Sequence, residues 1–412
     1  MRNVQLCVLV VATAVWTLAV ASEAEATPRM SATSGAPCAT CHVSEDGGGI
    51  RSEIGFGNQV DNVAVDYEQM GISFLAEQDT NYVTDWLALG VDARVQMARL
   101  GAPTLQEGDD DELEVILPER RVFPMQFEPS VVVWPADWLT LHGSYNPGEG
   151  VFDGDLCSGT YPGQMCGTAQ AMFDFDPTWP RLRAGLFRPN FGIHHDDHTM
   201  LIESDASGAR PELIPPNYAE VGAEVNYQPR HWWRADAGVY RSDQLAAAVN
   251  DSDVVQPSDP AAMARVTFYP QFDAFDEDFY GWAGASTYAS GHLRGEGAFR
   301  MDKAFFGLGM LDRAALMLDV AHLDFTGDDA RRAINASTTL AVEVLDWLVP
   351  QLRVEQAMTF HDGSEETDMR QQAAAGVQIY PMPFVKLQPE YRYIRTDDWQ
   401  MGQYMVQLHL HY

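Results

Sequence analysis

From Trp86 onward, apolar and polar residues alternate along the chain with a period of two. Leu87, Leu89, Val91, Ala93, Val95 and Met97 interleave with Ala88, Gly90, Asp92, Arg94, Gln96 and Ala98, an apolar face against a polar one, as a strand wetted on one side requires. The same pattern sets Val221, Ala223, Val225 and Tyr227 against Glu220, Gly222, Glu224 and Asn226. It sets Trp233, Ala235, Ala237 and Val239 against Arg234, Asp236, Gly238 and Tyr240. Near the end Val385, Leu387, Pro389, Tyr391 and Tyr393 face away from Lys386, Gln388, Glu390 and Arg392. A last strand divides Tyr404, Val406, Leu408, Leu410 and Tyr412 from Gln403, Met405, Gln407, His409 and His411.

Alternation alone fits a soluble sandwich as well as a membrane barrel. The connections separate them. Tight turns are expected near Pro135-Ala136, Pro177–Pro180, Pro229-Arg230, Gln271–Glu277, Asp312-Arg313, Leu348–Gln351 and Pro381–Pro383. Longer polar stretches lie between them, at 101–119, 146–168, 190–216, 241–260, 291–296, 327–335, 361–370 and 395–399. That rhythm predicts an all-β, transmembrane antiparallel β-barrel of about 16 strands, with an even strand number, short periplasmic turns and longer outer loops. Trp134, Trp138, Trp179, Trp232, Trp233, Tyr269, Trp282, Trp347, Tyr380 and Phe384 crowd the short-turn ends, where an interfacial aromatic girdle is expected.

Composition narrows the partners. The 412 residues carry 59 Asp and Glu against 26 Lys and Arg, a net charge of −33, which excludes nucleic acid, since that affinity rests on cations neutralising phosphates. At 46 % hydrophobic the chain is no disordered acidic tail. Past the first two dozen residues no uncharged apolar run reaches the roughly 18 residues a membrane helix needs.

Residues 1–26 read as a secretory signal: Arg2, an apolar run from Leu6 to Val20, and small-residue cleavage sites at Ala19-Val20-Ala21 or Ala24-Glu25-Ala26. Cys7 leaves with it. Of the other cysteines, Cys157 and Cys166 enclose a short loop and are expected to form a disulfide in an oxidising compartment. Cys38-Ala39-Thr40-Cys41-His42 has the spacing of covalent haem c attachment: two thiols for the vinyl groups, then a His for the iron. A zinc half-site would want a second ligand pair, and residues 43–80 hold no His or Cys. A thioredoxin-like site would want a βαβ pattern, also missing.

Residues 27–80 are therefore expected to be a monohaem cytochrome c segment with one haem, and residues 81–412 a porin-like barrel. Gly47, Gly48, Gly49, Gly55 and Gly57 would let backbone pass close to a flat cofactor, and Arg51 is a partner for a propionate or a solvated charge. The segment is too short to bury a haem alone. With an even strand number it sits at the periplasmic mouth or in the lumen. Candidate sixth ligands are His409 and His411 on the last strand's inner face, Met30 and Met70 within the segment, and His142.

The outer loops are acidic, notably Glu107 to Glu114, Asp328-Asp329 and His361 to Asp368. Such loops either gather cations or form a solvated rim bridged to lipopolysaccharide. In His194-His195-Asp196-Asp197-His198, the alternate residues His194, Asp196 and His198 could share one metal ion on extended backbone, the other reading being a loop folded inward.

Pro28-Arg29-Met30-Ser31, Gly35, Cys38-Ala39-Thr40-Cys41-His42 and Gly55-Phe56-Gly57, followed by a barrel-like chain, resemble the fused cytochrome–porins of bacterial outer membranes, which include iron-oxidising outer-membrane cytochromes. The match covers the architecture, but only about thirty residues match at motif level. The chain departs from the iron-oxidising pattern after His42, with Glu45-Asp46 where a proline is usual. The resemblance implies Cys38 and Cys41 as thioether sites and His42 as proximal ligand. It also implies an outer-membrane location in a Gram-negative bacterium, with the haem on the periplasmic side. Electrons would pass between an extracellular donor or acceptor, Fe(II) among them, and a periplasmic cytochrome or other carrier. The alternative is a diffusion porin whose haem segment is a plug or redox sensor.

Overall fold

The computed structural model describes residues 28–34, 36–44, 50–56, 62–65, 69, 71, 81–100, 104–105, 120–146, 166–176, 178–195, 197, 200–206, 213–215, 218–249, 254–257, 259–274, 277–291, 297–310, 313–327, 330–364 and 367–412. The signal stretch, Met70, Cys157, Asp196, His198 and Gly47 to Gly49 lie outside them.

Among the described residues, nineteen hydrogen-bonded segments form one continuous sheet. Three are short continuations at Tyr82–Thr84, Thr104–Leu105 and Gln271–Ala274. The other sixteen are the staves of a closed antiparallel barrel: β1 (Leu87–Leu100), β2 (Arg120–Ala136), β3 (Leu139–Tyr145), β4 (Gly167–Phe173), β5 (Arg181–Phe187), β6 (Glu220–Arg230), β7 (Trp233–Tyr240), β8 (Ala261–Phe268), β9 (Glu277–Gly291), β10 (Ala298–Met310), β11 (Ala314–Thr326), β12 (Arg331–Val342), β13 (Leu348–His361), β14 (Thr367–Met382), β15 (Val385–Thr396) and β16 (Trp399–His411). The ring closes where β16 pairs with β1, from Gln403 opposite Leu100 to His411 opposite Asp92. Closure leaves no open edge, which is what lets a sheet stand in hydrocarbon.

The period-two pattern maps onto the wall as read. Leu89, Val95, Met97, Val221, Val239, Leu352 and Val354 are exposed on the outside, a surface suited to lipid and costly in water. Their neighbours Asp92, Arg94, Glu224, Asp236, Arg353 and Arg392 turn inward.

Three expectations change. Leu348–Gln351 is no turn but the start of β13, and the chain reverses at 343–347 instead. The last outer connections are short: β11 to β12 takes 327–330 and β15 to β16 takes 397–398, so the two rims differ clearly only in the first half of the chain. The aromatic girdle also splits. Trp138, Trp179 and Trp232 are exposed, but Tyr269, Trp282 and Tyr380 are buried, turned inward against the segment that precedes β1.

The lumen is partly filled by the chain itself. The described residues of the connection after β5 fold inward, as do those of the connection after β7, which include a short helix at Asp243–Val249. With the wall they make an apolar core that includes Phe187, Ile202, Tyr218, Leu245, Tyr288 and Phe325.

Candidate functional site

The segment before the barrel lies in the short-turn mouth. Helix α1 (Pro28–Ser34) opens on a proline, whose fixed φ suits a first helical turn. It closes on hydroxyls that bond back to the Met30 carbonyl, from Ser34 Oγ at 2.7 Å and Thr33 Oγ1 at 3.3 Å. α1 rests on β9, β10 and β11. Ala32 joins Tyr269, Trp282, Phe305 and Ala315 in an apolar cluster. Arg29 Nη1 lies 2.8 Å from Glu343 Oε2, with both side chains withdrawn from solvent. Burial pushes the Glu343 carboxyl up against the pull of Arg29.

The haem-motif residues follow. Cys38–Cys41 forms a single helical turn, α2. His42 follows the turn directly, already outside it. His42 is buried and pairs with Arg51 in an antiparallel bridge, braced by Val43 N to Ile50 O at 3.1 Å. The chain thus returns beside the motif and brings Arg51 next to His42. Ser52 seals the return, its N–H donating to Cys41 O at 3.0 Å and its Oγ to Thr40 O at 2.7 Å. At Gly55 a Cβ would stand 2.1 Å from Cys41 O, so only glycine fits. Ile50 and Val43 pack on Ala88 and Val132 at the mouth. Phe56 meets Phe384 and Tyr412, ring centres 5.3 and 6.0 Å away.

Of the candidate sixth ligands, Met30 is buried in α1 against the β9–β11 side, while Val43 and Ile50, next to the motif, rest on β1 and β2. His409 and His411 are buried on the inner face of β16, ring centres 4.7 Å apart. His409 Nε2 is engaged by the wall, 2.9 Å from Asp92 Oδ2 and 3.4 Å from Arg94 Nε. His142 is drawn toward the segment through Gln170, whose Nε2 lies 3.1 Å from His142 Nδ1 and 3.3 Å from Ser44 Oγ. Cys166 is disulfide-bonded; its expected partner, Cys157, is among the residues not described.

His194, His195 and Asp197 belong to the inward-folded connection. His195 Nε2 lies 3.3 Å from Asp319 Oδ2 on β11. Asp197 Oδ2 lies 2.8 Å from both Arg353 Nη2 and Arg392 Nη2. Among the described residues no group of three His, Cys, Asp or Glu is arranged to hold a metal ion. Sequence reading did not single out the residues that dock this loop. Lys303 Nζ lies 2.8 Å from Glu203 Oε1 and 3.4 Å from Asp319 Oδ2, with its side chain fully enclosed. Arg188 Nη2 adds a contact to Glu203 at 3.2 Å. Burial pushes the Glu203 carboxyl up, yet Lys303 and Arg188 outweigh it and hold the group below its ordinary value. Asp205 accepts from Arg331 and Thr359, and Leu201 N–H donates to Glu355 Oε1 at 3.1 Å. The available signal was a lysine and an aspartate on inner-face positions of β10 and β11, which need buried partners.

These contacts hold the loop against the β5–β6 and β10–β15 wall. On the other side, around the β16–β1 seam, Asp92, Gln126, Glu128, Gln388, Gln403 and Gln407 keep partial access to solvent. Among the described residues the lumen therefore has a packed side and a polar side open to solvent.

The fold is similar to the outer membrane channel DcaP of Acinetobacter baumannii, with a TM-score of 0.54 over 79 % of this chain and 97 % of that one, at 12 % identity. It is also similar to OprB of Pseudomonas putida, with a TM-score of 0.51 over 84 % of this chain and 97 % of that one, at 9 % identity. At such identities the likeness is one of fold. No protein-family model matches the sequence, and no curated protein matches it.

Proposed function

We propose that this chain is an outer-membrane channel of porin architecture, with a haem-bearing N-terminal segment, residues 27–80, seated as a plug in the periplasmic mouth of the 81–412 barrel. The observation that carries the channel reading is the two-sided lumen: an inward loop fixed to one wall and a polar, partly solvent-accessible lining on the other. That is how a pore is narrowed without being sealed. The fold likeness to a channel supports the same reading. Planar-bilayer recording on the purified protein tests it; stable single-channel currents are expected, and an electrically silent, correctly folded barrel rules it out.

A second reading is electron transfer between the cell exterior and a periplasmic carrier, with Fe(II) as one extracellular donor. It is favoured by the Cys38–Cys41 helical turn with buried His42 at the mouth. These residues fit a c-type haem: two cysteines bounding one helical turn, a histidine at the next position, and a returning strand that brings Arg51 alongside. Cys38 and Cys41 would hold the group through thioethers and His42 would ligate its iron, with Arg51 beside a propionate. Bound there, the group would supply one-electron chemistry. The chain's own part is to exclude water around His42 and fix its orientation through the Arg51 bridge. A haem stain of the denatured outer-membrane protein tests attachment, and loss of haem reduction when Fe²⁺ is added to intact cells would exclude the iron version.

A further inference from the structure

Arg353, Ala374 and Arg392 stand on one rung of the wall, Arg353 opposite Ala374 and Ala374 opposite Arg392. Neighbouring strands lie about 4.8 Å apart, so two inward arginines flank a single methyl group. The inward loop lowers a carboxylate into that gap: Asp197 Oδ2 lies 2.8 Å from one guanidinium nitrogen of each arginine. Each arginine is held from behind by its strand neighbour, Arg353 Nε by Glu355 Oε2 at 3.0 Å and Arg392 Nε by Glu390. Those acids do not occupy the gap. Glu355 faces other donors, Leu201 N–H at 3.1 Å and Gln372 Nε2 at 2.8 Å. One donor is left over: Arg392 Nη1 is buried without a hydrogen-bond partner among the described residues, on a side chain only 2 % exposed.

Asp197 thus sits as a ligand carboxylate would, on paired guanidinium donors. The geometry points to a binding site for small carboxylate anions formed by Arg353 and Arg392, with Asp197 as an internal occupant that the incoming carboxylate displaces. The inference deepens the channel reading, since the lumen is the anion's route. Two arginines face three carboxylates with Asp197 in place and two without it, so one incoming carboxylate restores the original balance. Asp197 is 23 % exposed, so a competitor can reach it. A tethered occupant acts at an effective concentration in the millimolar range, which keeps net binding weak. Weak binding suits a pore, where an anion must leave as readily as it enters.

The test is a calorimetric titration of the full-length, detergent-solubilised protein with succinate, each variant first shown to keep the heat-dependent gel shift of a folded barrel. Asp197→Asn should bind succinate about tenfold more tightly than wild type, because a neutral amide competes less well than a charge-assisted carboxylate. Arg392→Gln should abolish binding. Ala374→Leu, which fills the gap but keeps both arginines and Asp197, should weaken it about tenfold. Equal affinity in wild type, Arg392→Gln and Ala374→Leu, or no binding by Asp197→Asn, overturns the proposal. Bilayer currents in potassium chloride are recorded on the same samples. Currents without succinate binding would sink the site and leave the channel; binding without currents would do the reverse.

Discussion

Gly309 in β10 faces Ala32 in α1 so closely that a Cβ on the glycine would stand 2.3 Å from the Ala32 carbonyl oxygen and 2.5 Å from Thr33 Cα. The barrel wall is bare here so that a helix from outside the barrel sequence can lie on it.

Gly309→Val should therefore unseat α1 while the barrel still closes. Limited proteolysis should cut the variant between α1 and β1 under conditions that spare wild type, with the heat-dependent gel shift unchanged. Gly291→Ala is the control, since among the described residues its Cβ would meet only Ala298 Cβ, at an ordinary 3.6 Å. Equal protection of Gly309→Val and wild type would refute the close-approach argument.

Lys303 is the other fixed point. Gly192 lies over it with φ 64°, and a Cβ there would come within 2.5 Å of Lys303 Cδ. Lys303→Met keeps the length but removes the charge that faces Glu203 and Asp319 from below. Leaving buried carboxylates short of a partner costs about 3–5 kcal/mol. The cost should appear as release of the inward loop, read as faster amide exchange over 200–206, and not as loss of the barrel.

Acid should act on the two docking points in opposite senses. Glu203 sits below its ordinary value, so its contribution is present above the unfolded value near pH 4.3 and is lost as pH falls through the folded one. Glu343 sits above its ordinary value, so its contribution is fullest at low pH and fades as pH rises through the folded value. Amide exchange at pH 3 and pH 6 should show the loop loosening on acidification while α1 stays seated. Release of α1 first would contradict this.

On the proposed haem reading, Cys38→Ala and Cys41→Ala should each abolish two-point attachment, and the double variant should leave an unstained barrel of normal gel mobility. Gly55→Ala keeps every attaching residue but forces a methyl group against Cys41 O. Covalent haem should fall severalfold in that variant, by the cost of backbone displacement. Full haem loading of Gly55→Ala would show that the packing at Cys41 is not required.

The wall was legible because a β-strand reports its two faces in strict alternation, and Asp92, Arg94, Glu224 and Arg392 stand on the inner face where period two puts them. The rims were less so. Leu348 to Gln351 reads as a turn because Pro350 breaks the pattern, yet Pro350 pairs opposite Val377 within β13. Trp282 and Tyr380 lie at the correct end of their strands but face inward, because what covers them is a distant segment that local pattern cannot reveal. The Asp197, Arg353 and Arg392 cluster was invisible for the same reason. Each residue reads as an ordinary charge, and only the inward turn of a loop 156 residues from Arg353 and 195 from Arg392 joins them.

Tyr412 and Val91 exchange both backbone hydrogen bonds, at 2.9 and 2.8 Å, where the final strand meets the first, and Phe56 packs edge-on against Tyr412 and at a tilt against Phe384 at that junction. The lock of the ring and the seat of the leading segment share residues, so closing one completes the other. A change that loosens Phe56 should therefore also loosen the pairing of β16 with β1, so the first described segment and the last strand stand or fall together.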